Sequence, residues 1–168
     1  MERSRIFPIV TLPVFLLLLT YGCGQTTYNA RDIVAARADL DTLYLNWCHD
    51  WCDHDLDGYL AVIDKDAVFL GWPTEQLLAG KPLIEQAVRQ QFQRTEKADM
   101  NPSFNRDHWL LHVTPIVAWA EASITISFDT PAGVHNQHYL ESMVFERRSD
   151  GWKVVQYQRS AVTQKSRP

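Results

Sequence analysis

From Trp109 to Val162 the chain alternates long extended runs with tight polar turns, and this pattern limits the fold more than any other feature. The runs read as strands at Trp109–Val117, Ala120–Phe128, His135–Arg147 and Trp152–Val162. Thr130-Pro131-Ala132-Gly133 and Ser149-Asp150-Gly151 stand between the later ones. Asp-Gly between extended runs is a strong hairpin signal, so consecutive strands pair antiparallel. On the third run Tyr139, Glu141, Met143 and Phe145 share one face, while His138, Leu140, Ser142 and Val144 share the other. On the last, Val155, Tyr157 and Arg159 alternate with Val154, Gln156 and Gln158. A sheet of this kind needs a second layer to cover its apolar face.

Helices supply that layer. Asn29 or Asp32 can cap a helix start. Ile33, Ala36, Leu40, Leu43, Tyr44, Trp47 and Trp51 then form one stripe, with Arg37, Asp39, Asp41, Asn46 and Asp53 opposite. The spacing predicts a helix of about five turns. Its aromatic end serves either packing alone or packing together with the lining of a cavity. From Asp55 to Trp72 a short helix (Leu56, Tyr59, Leu60, Ile63) stops at Asp64-Lys65-Asp66, and a buried strand follows over Ala67–Leu70. That corner, ending in Gly71-Trp72, reads as a pocket rim. Leu77 to Pro82 is a turn, with Pro82 opening a helix that carries Leu83, Ile84, Ala87, Val88, Gln91 and Phe92 on one side. Thr95 to Phe104 reads as a loop. The expected class is α+β: a cone-like curved antiparallel sheet packed against a long N-terminal helix and two shorter helices.

The 168 residues, 46% of them hydrophobic, suffice for one domain with a genuine core. A net charge of −4 with scattered lysines and arginines argues against a nucleic-acid surface. Ahead of the domain, Glu2, Arg3 and Arg5 precede an apolar run from Ile6 to Leu19 containing Pro8 and Pro13. This has the form of an export signal and is short for a membrane span of roughly 20 residues. Leu19-Thr20-Tyr21-Gly22-Cys23 resembles a bacterial lipoprotein box, with Cys23 as lipid acceptor; a plain cleaved signal and an uncleaved anchor are the alternatives. Each places the domain outside the cytoplasm, in the periplasm or anchored to the outer membrane. The expected organisation is a signal over 1–23, a tether over 24–30, the domain over 31–163 and a polar tail over 164–168.

Cys48 and Cys52 lie one helical turn apart. Free thiols, a strained local or intermolecular disulfide, and a metal cluster with His49 and His54 are the readings. The last conflicts with the convergence that tetrahedral zinc demands, since four residues inside seven on one helix do not meet at a point. No metal and no cofactor is expected.

Asp55-Leu56-Asp57-Gly58-Tyr59, Asp66-Ala67-Val68-Phe69, Gly80, Gly151-Trp152-Lys153-Val154-Val155 and Ser160 resemble the NTF2-like superfamily, and within it the SnoaL-like and ketosteroid-isomerase-like small domains. The resemblance covers Ile33 to Val162. It implies a cavity between sheet and helices for a small hydrophobic or aromatic ligand, and a homodimer formed through the sheet face. Such folds host many functions. Against the steroid isomerases, Trp47 stands at the helix tyrosine, Gly71 at the proton-moving aspartate and Glu141 at the strand acid, which a buried site would keep neutral as a donor. Nothing at Gly71 takes a proton, so that chemistry is not expected. Against the scytalone-dehydratase type, His108 resembles the catalytic histidine and Asp50 or Asp53 its aspartate partner, a pair suited to general acid–base work. The catalytic candidates are therefore His108, Asp50, Asp53 and Glu141. The ligand-contacting candidates are Trp47, Tyr59, Trp72, His112, Tyr139, Met143 and Arg159, the last at a position where some relatives bind an acid. Surface display or a subunit salt bridge is its alternative. His135 and His138 are expected to face solvent.

Overall fold

The computed structural model describes residues 29–162. Residues 1–28, where an export signal and a lipid acceptor at Cys23 are expected, and the expected polar tail over 164–168 lie outside the described residues, and no described helix is long and apolar enough to cross a membrane.

Helix α1 (Ala30–Cys52) begins where the Asn29 side chain accepts from the Arg31 amide at 3.1 Å. Asp32 in its first turn complements the helix dipole. Ala36, Leu40, Tyr44, Trp47, Cys48 and Trp51 recur every three or four residues and are buried along one stripe. The helix ends at Asp53. Asp55 then caps the short helix α2 (Leu56–Ala61) by accepting from the Gly58 amide at 3.0 Å. Pro82 sits in the first turn of helix α3 (Lys81–Lys97), where its missing amide costs nothing.

The strands are β1 (Ile63–Leu70), β2 (Leu78–Ala79), β3 (Asn101–Val113), β4 (Val117–Thr130), β5 (Gly133–Arg148) and β6 (Gly151–Ala161). They form one sheet in the order β2-β1-β6-β5-β4-β3, antiparallel except where β1 runs parallel to β6. The sheet curves around the helices, and the expected α+β architecture is what the chain adopts. Helix α1 packs on β3 and reaches β5 and β6 through Tyr44 and Trp47, and α3 packs on β1. Between the layers lie Leu40, Phe69, Ile84, Val88, Ile124, Phe145 and Val154, all fully buried.

The elements differ from expectation at their ends. Thr95 to Phe104, read as a loop, continues α3 to Lys97 and begins β3 at Asn101. Pro102 misled that reading, yet β3 is an edge strand, where a residue without an amide is tolerated. Asp64 to Asp66 lies inside β1, whose pairing with β6 shifts register between Ile63 and Val68. Leu78-Ala79, read as part of a turn, pairs with β1 as β2.

Two further register shifts decide which side chains face inward. Arg106 pairs with Ile124 but His108 pairs with Ser123, so Asp107 is an extra residue on β3. The bulge turns Trp109 and Leu111 towards the helices and moves His108 and His112 to the outer face. A similar shift between Val144 and Phe145 makes Val155 the extra residue of β6. Val154 is consequently buried, contrary to simple alternation, while Tyr157 and Arg159 face in as expected.

Candidate functional site

β5 and β6 place Glu141 directly opposite Arg159 on the concave face. Both are buried, and the guanidinium meets one carboxylate oxygen through Nε at 2.8 Å and Nη2 at 2.7 Å. Tyr157 donates its hydroxyl to that same oxygen, and Tyr44 of α1 donates to the other at 2.6 Å. The expectation that a neutral Glu141 donates a hydrogen bond is corrected here: every neighbour donates to it, and it accepts throughout. Arg159 is likewise buried rather than displayed on the surface, and pairs within the chain with Glu141. Burial opposes its charge, and Tyr157 and Glu141 more than offset that, so its pKa stands above the ordinary value. Burial first, and the Glu141 charge next, raise the Tyr44 phenol; burial also raises Tyr157 and Tyr59.

Four aromatic rings surround the guanidinium carbon: Trp72 at 4.7 Å, Tyr139 at 5.1 Å, Tyr157 at 5.7 Å and Trp51 at 5.8 Å from ring centre. Such faces attract a cation. Inward of Arg159 the cone is nearly full. The gap among Trp47, Cys48, Tyr59, Phe104 and Glu141 measures only about 10 Å³, close to the room for one water. Outward of it the cone opens into a cavity of about 380 Å³, within the range of small-molecule sites. Trp51, Trp72, Ile126, Phe128, Tyr139 and Arg159 form its walls, and Gln91, Thr130, His135 and Gln137 its rim.

Gly71 belongs to the wall. Its φ is +76°, and a Cβ there would lie 2.2 Å from the Arg159 carbonyl oxygen. No side chain fits, so the place of the isomerase base is closed by backbone as well as by residue type.

The other sequence candidates separate into groups. Tyr139 and Trp72 line the open cavity. Trp47 and Tyr59 stack on each other at 5.0 Å beneath it, and the Trp47 indole donates to the Tyr59 carbonyl at 3.1 Å, which leaves no N–H for a ligand oxygen. Met143 is sealed in the core beside Tyr157. His108 and His112 are corrected: both are exposed on the outer face, His112 stacked on Trp119 at 4.9 Å. Asp50 lies beside Asp55 and Gly58 at the end of α1, where burial and the neighbouring Asp55 and Asp53 raise its pKa. Asp53 is exposed. Among the described residues no hydrogen bond or ion pair joins His108 to either aspartate, so the dehydratase-like pair is not assembled. His135, expected in solvent, is exposed yet sits at the cavity rim, and His138 bonds Thr125 on the outer face at 2.9 Å.

Cys48 and Cys52 are free thiols. Burial raises Cys48 well above the ordinary range and pushes Cys52 up to about 11, so neither is an activated nucleophile. Among the described residues no group of three or more histidines, cysteines and acids is placed to hold a metal. Sequence reasoning gave cavity lining to Trp51 only as the alternative to packing, and passed over Phe128 and Tyr157. The parity of Tyr157 with Arg159 and the place of Trp51 on the aromatic stripe were the available signals.

Residues 40–164 match the SnoaL-like domain. No protein of curated description matches the chain by sequence. Among solved structures, an NTF2-like protein of unknown function from Pseudomonas putida KT2440 superposes with a TM-score of 0.68 at 17% identity, covering 78% of this chain and 89% of its own. An NTF2-like protein with a cystatin-like fold from Novosphingobium aromaticivorans gives 0.68 at 11% identity over 95% of both chains. A Streptomyces avermitilis member of the NTF2-like family, provisionally named a dehydratase, gives 0.67 at 16% identity over 77% of this chain and 98% of its own. These likenesses establish the fold, and the sequence match over most of the described domain makes this chain a member of the SnoaL-like family.

Proposed function

We propose that the domain binds a small, largely apolar organic molecule in the cavity at the open end of the cone and carries out no proton transfer of the steroid-isomerase kind. One observation carries this most: Glu141, among the described residues the one carboxylate at the heart of the cone, accepts at both oxygens, from Tyr44 at one and from Tyr157 and Arg159 at the other. A carboxylate so engaged, beside a gap of only about 10 Å³, has no room to meet a ligand, whereas the aromatic walls outside it stay open. The lyase or isomerase alternative needs His108 inside the cone, and the bulge at Asp107 points it out. Native mass spectrometry of freshly purified protein, followed by fluorescence titration with flat aromatic compounds, tests the proposal. Saturable binding that Trp72→Ala weakens and His108→Ala leaves alone is the expected result.

Two properties are proposed alongside. Leu110, Trp119 and Leu140 are 43%, 46% and 56% exposed on the outer sheet face, which suits pairing with a second copy. Leu140→Glu should then shift the sedimentation coefficient to that of a monomer. Export with lipidation of Cys23 rests on the sequence pattern, and Cys23→Ala should release the protein from the membrane fraction.

A further inference from the structure

Among the described residues that line the open cavity, Arg159 is the one arginine or lysine, and none is an aspartate or glutamate. Its counter-ion Glu141 lines the narrow gap beneath, where it accepts from Nε and Nη2 of the guanidinium. The ion pair is therefore a dipole with its positive end towards the cavity. The Arg159 side chain is only 9% exposed, so little water screens that end. Three of the rings around the guanidinium, Trp51, Trp72 and Tyr139, also line the cavity. Apart from Glu141, the chain surrounds this cation with π faces. Since Arg159 itself still lines the cavity, the set of rings is open on that side.

Charge then selects the occupant. An ammonium would approach the guanidinium with no carboxylate in the wall to offset it. A carboxylate would shed its water to reach a cation that Glu141 already balances. An uncharged ring offers the negative face of its quadrupole without either cost, and a richer π cloud strengthens the attraction. Resting on the binding role proposed above, we propose that the occupant is a neutral, electron-rich aromatic molecule whose ring lies on the cavity side of Arg159 and extends the set of rings around it. Arg159 is then the residue that selects among flat apolar ligands, through its charge and not through a particular hydrogen bond.

Four probes of one shape separate the outcomes: 2-methoxynaphthalene, 2-cyanonaphthalene, 2-naphthoate and 2-naphthylmethylammonium. Their dissociation constants are measured on the wild-type protein by calorimetry, each referred to the compound's own water–octanol partition. The methoxy compound should bind tightest, about fivefold more tightly than the electron-poor nitrile, the size of a modest cation–π contact. The ammonium should bind weakest. In the double variant Arg159→Met with Glu141→Gln, which removes both charges and keeps an amide oxygen for Tyr44 and Tyr157, both neutral probes should still bind and the methoxy preference should fall to within twofold of unity. Tightest binding of 2-naphthoate assigns the cavity to an acid and overturns the proposal. Equal or tighter binding of the nitrile, or tightest binding of the ammonium, overturns it as well. Each of these results leaves the binding role intact. Failure of all four probes to saturate removes the binding role and this inference together. The ranking on wild-type protein decides, so it stands even where the double variant folds poorly.

Discussion

The two ends of the cone are built from the same strands and differ in how they treat polar groups. At the inner end Glu141 has all its neighbours donating to it, and the remaining gap is about 10 Å³. At the outer end about 380 Å³ stays open between aromatic walls, with the polar side chains of Gln91, His135 and Gln137 at the rim. Among the described residues Trp51, Ile126 and Arg159 line both, and of these Arg159 carries the charge. A buried ion pair adds little net stability, but removing one partner strands the other in a dry site. The inner end therefore reads as structural, and the outer end as the part free to bind.

Breaking the inner end should have the largest effect. Glu141→Ala leaves Arg159 without its counter-charge and should cost about 3–5 kcal/mol, measured by urea unfolding, a large share of the roughly 5–15 kcal/mol typical of a domain. Replacing both Glu141 and Arg159 by apolar residues of similar volume should recover most of that loss; if it does not, the pair contributes more than mutual neutralisation. Next in size is Gly71→Ala. A positive φ alone costs about 1–3 kcal/mol in a residue with a side chain, and the contact with the Arg159 carbonyl adds to it, so ligand affinity and stability should fall together.

The phenols sharpen the contrast at high pH. Burial raises Tyr44, Tyr59 and Tyr157 in the folded state, so their stabilising contribution is complete below the unfolded tyrosine pKa of about 10 and is lost as pH rises beyond it. Phenolate absorbance should therefore rise together with loss of circular dichroism, not before it. Tyr139, half-buried at the mouth, is raised less by its surroundings and should ionise first. The smallest effect belongs to Asp64, outside both regions. Its bond from the Asp66 amide and its pairing with Arg148 hold its carboxyl below the usual range. Asp64→Asn should thus lower the thermal midpoint slightly at neutral pH, with the difference vanishing as the pH falls through the carboxylate range.

The architecture and the inward set on β5 were legible because strict alternation holds from Tyr139 to Phe145. The site was less so, and a single inserted residue explains most of the loss. His108 and His112 share parity with Phe104 and Arg106, which do face the helices; Asp107 breaks that parity in a way no periodicity reveals. Arg159 was identified as a ligand contact, but its partner was not, because cross-strand register depends on the bulge at Val155. The filling of the inner cone depends on how Tyr44, Trp47 and Tyr59 pack against one another, which spacing along α1 does not encode.

Gly71 has a consequence for what this scaffold can become. Descent from or towards a proton-shuttling enzyme would have to pass through this position, and here the carbonyl of Arg159 stands where a side chain would begin. Reinstalling an acid at residue 71 requires β6 to retreat first, which would dislodge the very guanidinium that anchors the interior. An acid or base brought to the open cavity would have to come from the rim, where His135 and Gln137 stand exposed.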